Sequence, residues 1–86
     1  MRYLAVSRLK ENIDFKKFQS VIGAHRSWVA DAMEAGVIIS AGRWGDIGGI
    51  IIFDLPEDDS VENFLANDPL KQNGLVGFEW AEYLAD

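Results

Sequence analysis

Two residues of this 86-residue chain have the types that acid–base chemistry needs: its single histidine, His25, and an oddly placed aspartate, Asp68. Histidine changes charge near neutral pH, which suits a general acid or base. An imidazole used in this way needs a partner that fixes its tautomer and stabilises its charged form, and a carboxylate does both. Asp68 stands directly before Pro69 and Leu70, an acid in apolar company. Each residue also has a plain structural role open to it. His25 can be a core histidine with a satisfied hydrogen bond, and Asp68 a turn residue. Arg43 and Arg26 supply positive charge that would attract an anionic or enolate-like oxygen. Trp44, in a glycine-rich stretch beside Arg43, can line a pocket mouth, and Ser40 joins these three as a candidate substrate-binding residue.

Other chemistries are disfavoured by what the chain lacks. It has no cysteine and one histidine, too few of the usual ligands for a structural zinc site, so no metal is expected. The glycines between Gly42 and Gly49 join two strands rather than a strand and a helix, which is not a dinucleotide fingerprint. None of the serines lies in a nucleophile elbow. Net charge is −6. Residues 1–45 carry a net +3 and residues 46–86 a net −9. That balance argues against nucleic-acid binding, which needs a basic footprint, and would place any anionic ligand against the first half. The opening apolar run, Tyr3 to Val6, is too short for a signal peptide, and no run approaches the ~18 residues of a membrane span. A cytoplasmic protein with no membrane association is the expectation.

The elements that must position these residues follow from periodicity. Residues 1–86 are expected to form a single domain. Residues 2–7 read as a strand. Asp14 is a good N-cap for a helix whose Phe15, Phe18, Ile22, His25, Val29, Ala32 and Met33 share one face. Gly23 admits a bend, and Gly36 fits the position that ends the helix. Residues 37–42 and 49–54 read as strands joined by a turn over residues 43–48. Asp59 to Glu62 is a capping signal for a short helix that Asn67-Asp68-Pro69 stops. Residues 76–84 give the last strand, with Phe78 and Trp80 on one face and Glu79 and Ala81 on the other.

The order β-α-β-β-α-β predicts an α+β, ferredoxin-like antiparallel sheet with both helices on one face. The end of the second helix can then lie near the middle of the first, which brings Asp68 within reach of His25. A direct hydrogen bond between them, beside a solvent-reachable cavity, is the expectation. The strands GIIIF and VIIS do not alternate, so the second face of the sheet is apolar as well, with no element left to cover it. A second copy of the chain is the simplest cover, giving a homodimer.

Several stretches together resemble the YCII-related family. Ala24-His25 through Gly36, followed by Ile39-Ser40-Ala41-Gly42, has the family's helical histidine, closing glycine and apolar strand ending in Ala-Gly. Phe64 to Leu70 and Asn73 to Val76 resemble its Asp-Pro turn and following glycine. Where the family usually has Gly-Pro after the second strand, this chain has Gly42-Arg43, so the loop bordering the pocket differs. The resemblance implies a dimeric α+β barrel with a paired histidine and aspartate at the active site, here His25 and Asp68. Lyase or dehalogenase-like chemistry on small ring compounds is among the activities attributed to the family. The leading reading is therefore a cofactor-independent acid–base enzyme acting on a small polar or anionic molecule by elimination, isomerisation or hydrolysis. The alternatives are a non-catalytic metabolite-binding or regulatory dimer, and a haem-binding relative with His25 as axial ligand.

Overall fold

A computed structural model describes residues 1–86. The elements run β1 (Arg2–Leu9), α1 (Phe15–Glu34), β2 (Ile38–Trp44), β3 (Gly48–Asp54), α2 (Val61–Ala66), α3 (Pro69–Gln72) and β4 (Val76–Glu82). The four strands form one antiparallel sheet in the order β2-β3-β1-β4. This is the α+β, ferredoxin-like arrangement that the element order predicts.

Local signals set the helix ends. The Asp14 carboxylate accepts the backbone N–H groups of Lys16 and Lys17, satisfying two donors that the first turn leaves free. At the other end Gly36, at φ 77°, takes the left-handed conformation, while its N–H bonds Met33 O and that of Val37 bonds Ala32 O. Gly23 does not interrupt α1. Ser60 caps α2 by accepting the N–H of Asn63.

The structure changes two boundaries. Arg43 and Trp44 are not in the turn; they extend β2, pairing with Gly49 and Gly48, and the turn contracts to three residues, Gly45 to Ile47. Glycines at 48 and 49 allow this, because their missing side chains leave room for the ladder to continue. The Asn67-Asp68-Pro69 stretch stops α2 but also starts α3: Pro69 occupies the first turn, where its missing N–H costs nothing, and Asp68 is the cap.

The two faces of the sheet differ. Ala5, Ile51, Phe53, Ile38 and Val76, all on the helix-facing side, are buried. The first four, with Leu55, Val61 and Leu65, form most of the core, which Trp28, Val29 and Phe64 cover. A smaller cluster of Leu70, Leu75 and Val76 lies under Phe18, Val21 and Ile22. On the opposite face the cross-strand pairs Leu4–Ile52 and Val6–Ile50 are apolar, yet none of the four is buried.

One end of that face is tied by an ion pair. Arg2 and Asp54 are partners in the β1–β3 ladder, and the guanidinium donates to both carboxylate oxygens at 2.9 and 3.1 Å. These hydrogen bonds, more than the charge itself, hold Asp54 below its ordinary value of 3.8 and raise Arg2. A lowered carboxyl stabilises the fold above that ordinary value, and the contribution is lost as pH falls through the lowered, folded-state value. Asp54→Asn is therefore expected to lower the thermal midpoint slightly at pH 7 and progressively less as pH falls below 3.8, as checked by circular dichroism. The effect is small because the pair is exposed.

Candidate active site

His25 lies in the middle of α1 and Asp68 at the start of α3, and the two elements pack so that His25 Nδ1 is 2.8 Å from Asp68 Oδ1. Asp68 is 1% exposed, and the His25 side chain 25%. Oδ1 also accepts the N–H of Leu70 at 3.0 Å, so it acts as acceptor to both. His25 then donates through Nδ1–H, which in a neutral imidazole leaves the lone pair on Nε2. The ring sits between the two core clusters: Ile22 in the preceding turn packs on the smaller, and Trp28 in the following turn on the larger. The Trp28 ring centroid is 6.4 Å from that of the imidazole.

Asp68 Oδ2 is buried and has no hydrogen-bond partner within the chain. Capping α3 and holding His25 both fall to the other oxygen. Losing both bonds in Asp68→Ala is expected to cost about 2 kcal/mol, the cap and a charge-assisted bond being partly offset by removal of the unsatisfied oxygen. Asp68→Asn keeps an acceptor for Leu70 and should cost less than half as much. Urea unfolding of the two variants checks this.

The remaining candidate residues do not all gather here. A bulge at Ile39 shifts the register between Ile38 and Ser40 and reverses the alternation of β2. Beyond it Ala41 and Arg43, partners of Ile51 and Gly49, lie on the helix-facing side with the His25–Asp68 pair. Ser40 and Trp44, partners of Ile52 and Gly48, lie on the other face, where the Arg8 guanidinium stands 4.5 Å over the Trp44 ring. Arg26 is exposed on α1, about 100° around the helix from His25. Ser7 was not singled out by the sequence, yet it shares the helix-facing side with Arg43; counting by twos from Ala5 was the available signal.

Two concavities lie elsewhere. One of about 650 Å³ is lined by Met1, Arg2, Asp54, Tyr83 and Leu84 among others, and one of about 380 Å³ by Val6, Arg8, Lys10 and Glu79 among others. The expected cavity beside the pair is neither of these, and the imidazole meets solvent at its own exposed edge. No three His, Asp or Glu side chains gather in a way that would hold a metal ion.

A helical histidine held by an aspartate before proline, on this topology, is the arrangement that the family resemblance implies. The profile of the YCII-related domain matches residues 1–79. The chain belongs to the YCII-related family. Among solved structures, this YCII-related fold is similar to a 5-chloro-2-hydroxyhydroquinone dehydrochlorinase from Burkholderia phenoliruptrix AC1100, in complex with 2,5-dihydroxybenzoquinone. That match has a TM-score of 0.81 and 18% identity, covering 100% of this chain and 96% of that one. It is also similar to a muconolactone isomerase, with a TM-score of 0.79 and 16% identity, covering 100% and 91%. At these identities the likeness is one of fold. A search of the curated proteins finds no significant match. No helix of the chain is long and apolar enough to cross a membrane.

Proposed function

We propose that this YCII-related protein is a homodimeric enzyme of lyase or isomerase type, in which His25 moves a proton on a small anionic ring compound. The observation that carries this reading is the buried carboxylate of Asp68, 2.8 Å from His25 Nδ1. A structural cap needs one acceptor atom, which serine or asparagine supplies. Here a full carboxylate is buried with its second oxygen unpartnered, an arrangement that costs about 1–3 kcal/mol. The negative charge gains a purpose once His25 takes up a proton, because it offsets the imidazolium.

In the proposed step Nε2 removes a proton from a carbon made acidic by a neighbouring carbonyl. The C–H electron pair then either forms a double bond as a leaving group departs with its own pair, giving elimination, or is reprotonated by Nε2–H at another carbon, giving isomerisation. The pair supplies this chemistry without an organic cofactor. The two structural neighbours named above, a dehydrochlorinase and a muconolactone isomerase, fit these two outcomes, and their substrates are the first compounds to assay. Proton NMR in D₂O would follow chloride-releasing turnover of 5-chloro-2-hydroxyhydroquinone, isomerisation of muconolactone, and deuterium entry at the acidic carbons of related lactones and quinols. Activity that survives intact in His25→Gln would overturn the assignment.

A second reading is a metabolite-binding dimer in which the pair is structural. The hydrogen bond from Leu70 N–H to Asp68 favours it, since that bond gives the carboxylate a role in folding α3. Wild-type protein that binds these compounds with no deuterium entry would favour this reading.

A further inference from the structure

One cross-strand row on the helix-facing side of the sheet carries polar groups that the fold does not use. Arg43 pairs with Gly49, Gly49 with Ser7, and Ser7 with Phe78, so the four residues lie in line across β2, β3, β1 and β4. Alternation from the buried Ala5 and Ile51 puts this row on the side that α1 covers. Arg43 is exposed and takes no part in the chain's ion pairs. Ser7 is half-buried, and its hydroxyl makes no hydrogen bond within the chain.

Gly49 keeps the floor between them open. A Cβ at this position would stand 3.2 Å from Ser7 Oγ and 3.3 Å from Gly42 O. Neighbouring strands are about 4.8 Å apart, so the backbones of Arg43 and Ser7 are separated by roughly 10 Å with only a glycine between. α1 does not close over this floor tightly, for none of its twenty residues is fully buried. The fourth member of the row leads to the candidate active site. Phe78 packs against both core clusters, the same two that Ile22 and Trp28 contact on either side of His25.

The geometry points to a carboxylate seat over Gly49, with the Arg43 guanidinium donating from one side and the Ser7 hydroxyl from the other. Arginine recognises carboxylates through two parallel N–H bonds, and a hydroxyl supplies a third donor to the same planar group. The seat rests on the proposed function, which it deepens by naming the substrate class: a small ring compound that carries a carboxylate, held two strands along the row from Phe78. Positive charge in the first half of the chain is thereby given a specific address, and Gly49 a specific reason.

The probe is 2-hydroxybenzoate, with uncharged 2-hydroxybenzamide as its control. Titration calorimetry measures affinity, and amide NMR shifts at Gly49 and Ser7 locate the site. Arg43→Ala is expected to weaken 2-hydroxybenzoate at least about tenfold and Ser7→Ala about threefold, and the amide should bind the wild type at least about tenfold more weakly. Lys16→Ala removes the same charge from an exposed site at the start of α1 and should leave affinity unchanged. Circular dichroism confirms folding, and Gly49→Ala, which fills the floor, should reproduce the loss without removing any charge. The seat is overturned if wild type does not bind the probe, if Arg43→Ala and Ser7→Ala bind it as wild type does, or if Lys16→Ala loses as much. His25→Gln separates the two readings. Full turnover in that variant sinks the acid–base role and leaves the seat standing, whereas unchanged binding in Arg43→Ala and Ser7→Ala sinks the seat and leaves the acid–base role standing.

Discussion

His25→Gln should lower turnover by about three orders of magnitude while leaving the protein folded, since a positioned acid–base side chain contributes roughly 10²–10⁴-fold. Glutamine has nearly the length of histidine and can still donate an N–H to Asp68 Oδ1, so the buried carboxylate keeps a partner. What it lacks is a group that takes up and returns a proton near neutral pH. Asp68→Asn tests the other half of the pair. The asparagine oxygen can still accept from Leu70 N–H, so α3 keeps its cap. The negative charge that would offset the imidazolium is gone, while the same oxygen can still accept from Nδ1–H, because both bonds converge on Oδ1. A loss of about 10²-fold or more is expected for that reason. The measurement is the rate of deuterium entry or product formation with the most active compound of the proposed panel. Turnover within tenfold of wild type in His25→Gln would remove the acid–base role.

Placing a charge in the second sheet face should abolish dimerisation. Leu4, Val6, Ile50 and Ile52 form a contiguous apolar patch that no helix covers. The Arg2–Asp54 pair rims it at one end, and Arg8 over Trp44 rims it at the other. All the buried sheet residues belong to the opposite face. The proposed dimer packs this patch on its two-fold copy. Ile52→Glu would then bury two carboxylates, one from each copy, at several kcal/mol apiece. The dissociation constant should rise by roughly a thousandfold or more. Sedimentation equilibrium at micromolar concentration should give about twice the 9.6 kDa chain mass for the wild type and a monomer for the variant. Phe15→Glu, at the exposed start of α1 and 62% exposed, should leave the dimer intact. A wild-type monomer would remove the dimer from the proposal.

The sequence by itself determined the order and type of six of the seven elements, all but α3. Asp14, Gly36 and Ser60 act within one turn of where they stand, through caps and a left-handed glycine, so local chemistry alone made the ends of α1 and the start of α2 legible. Period-two patterning similarly assigned the faces of β4, and helical patterning the core contacts of Phe18, Ile22, Val29 and Ala32, whereas Phe15 and Met33, placed on the same face, lie exposed at the ends of α1. The pairing of His25 with Asp68 was legible only as a consequence of topology: both helices on one face bring the end of one near the middle of the other. The 2.8 Å contact and the burial of Asp68 are products of packing between residues 43 positions apart, which no local pattern encodes. The same holds for the second role of Asp68, because whether Pro69 ends one helix or opens another depends on Leu70 finding a place in the core. The bulge at Ile39 is the clearest case. One extra residue reverses every later side chain of β2, putting Arg43 on the helix-facing side and leaving Ser40 and Trp44 on the far face. Sequence alternation could not supply that parity, since the register is set by the hydrogen-bond ladder with β3 and not by β2 alone.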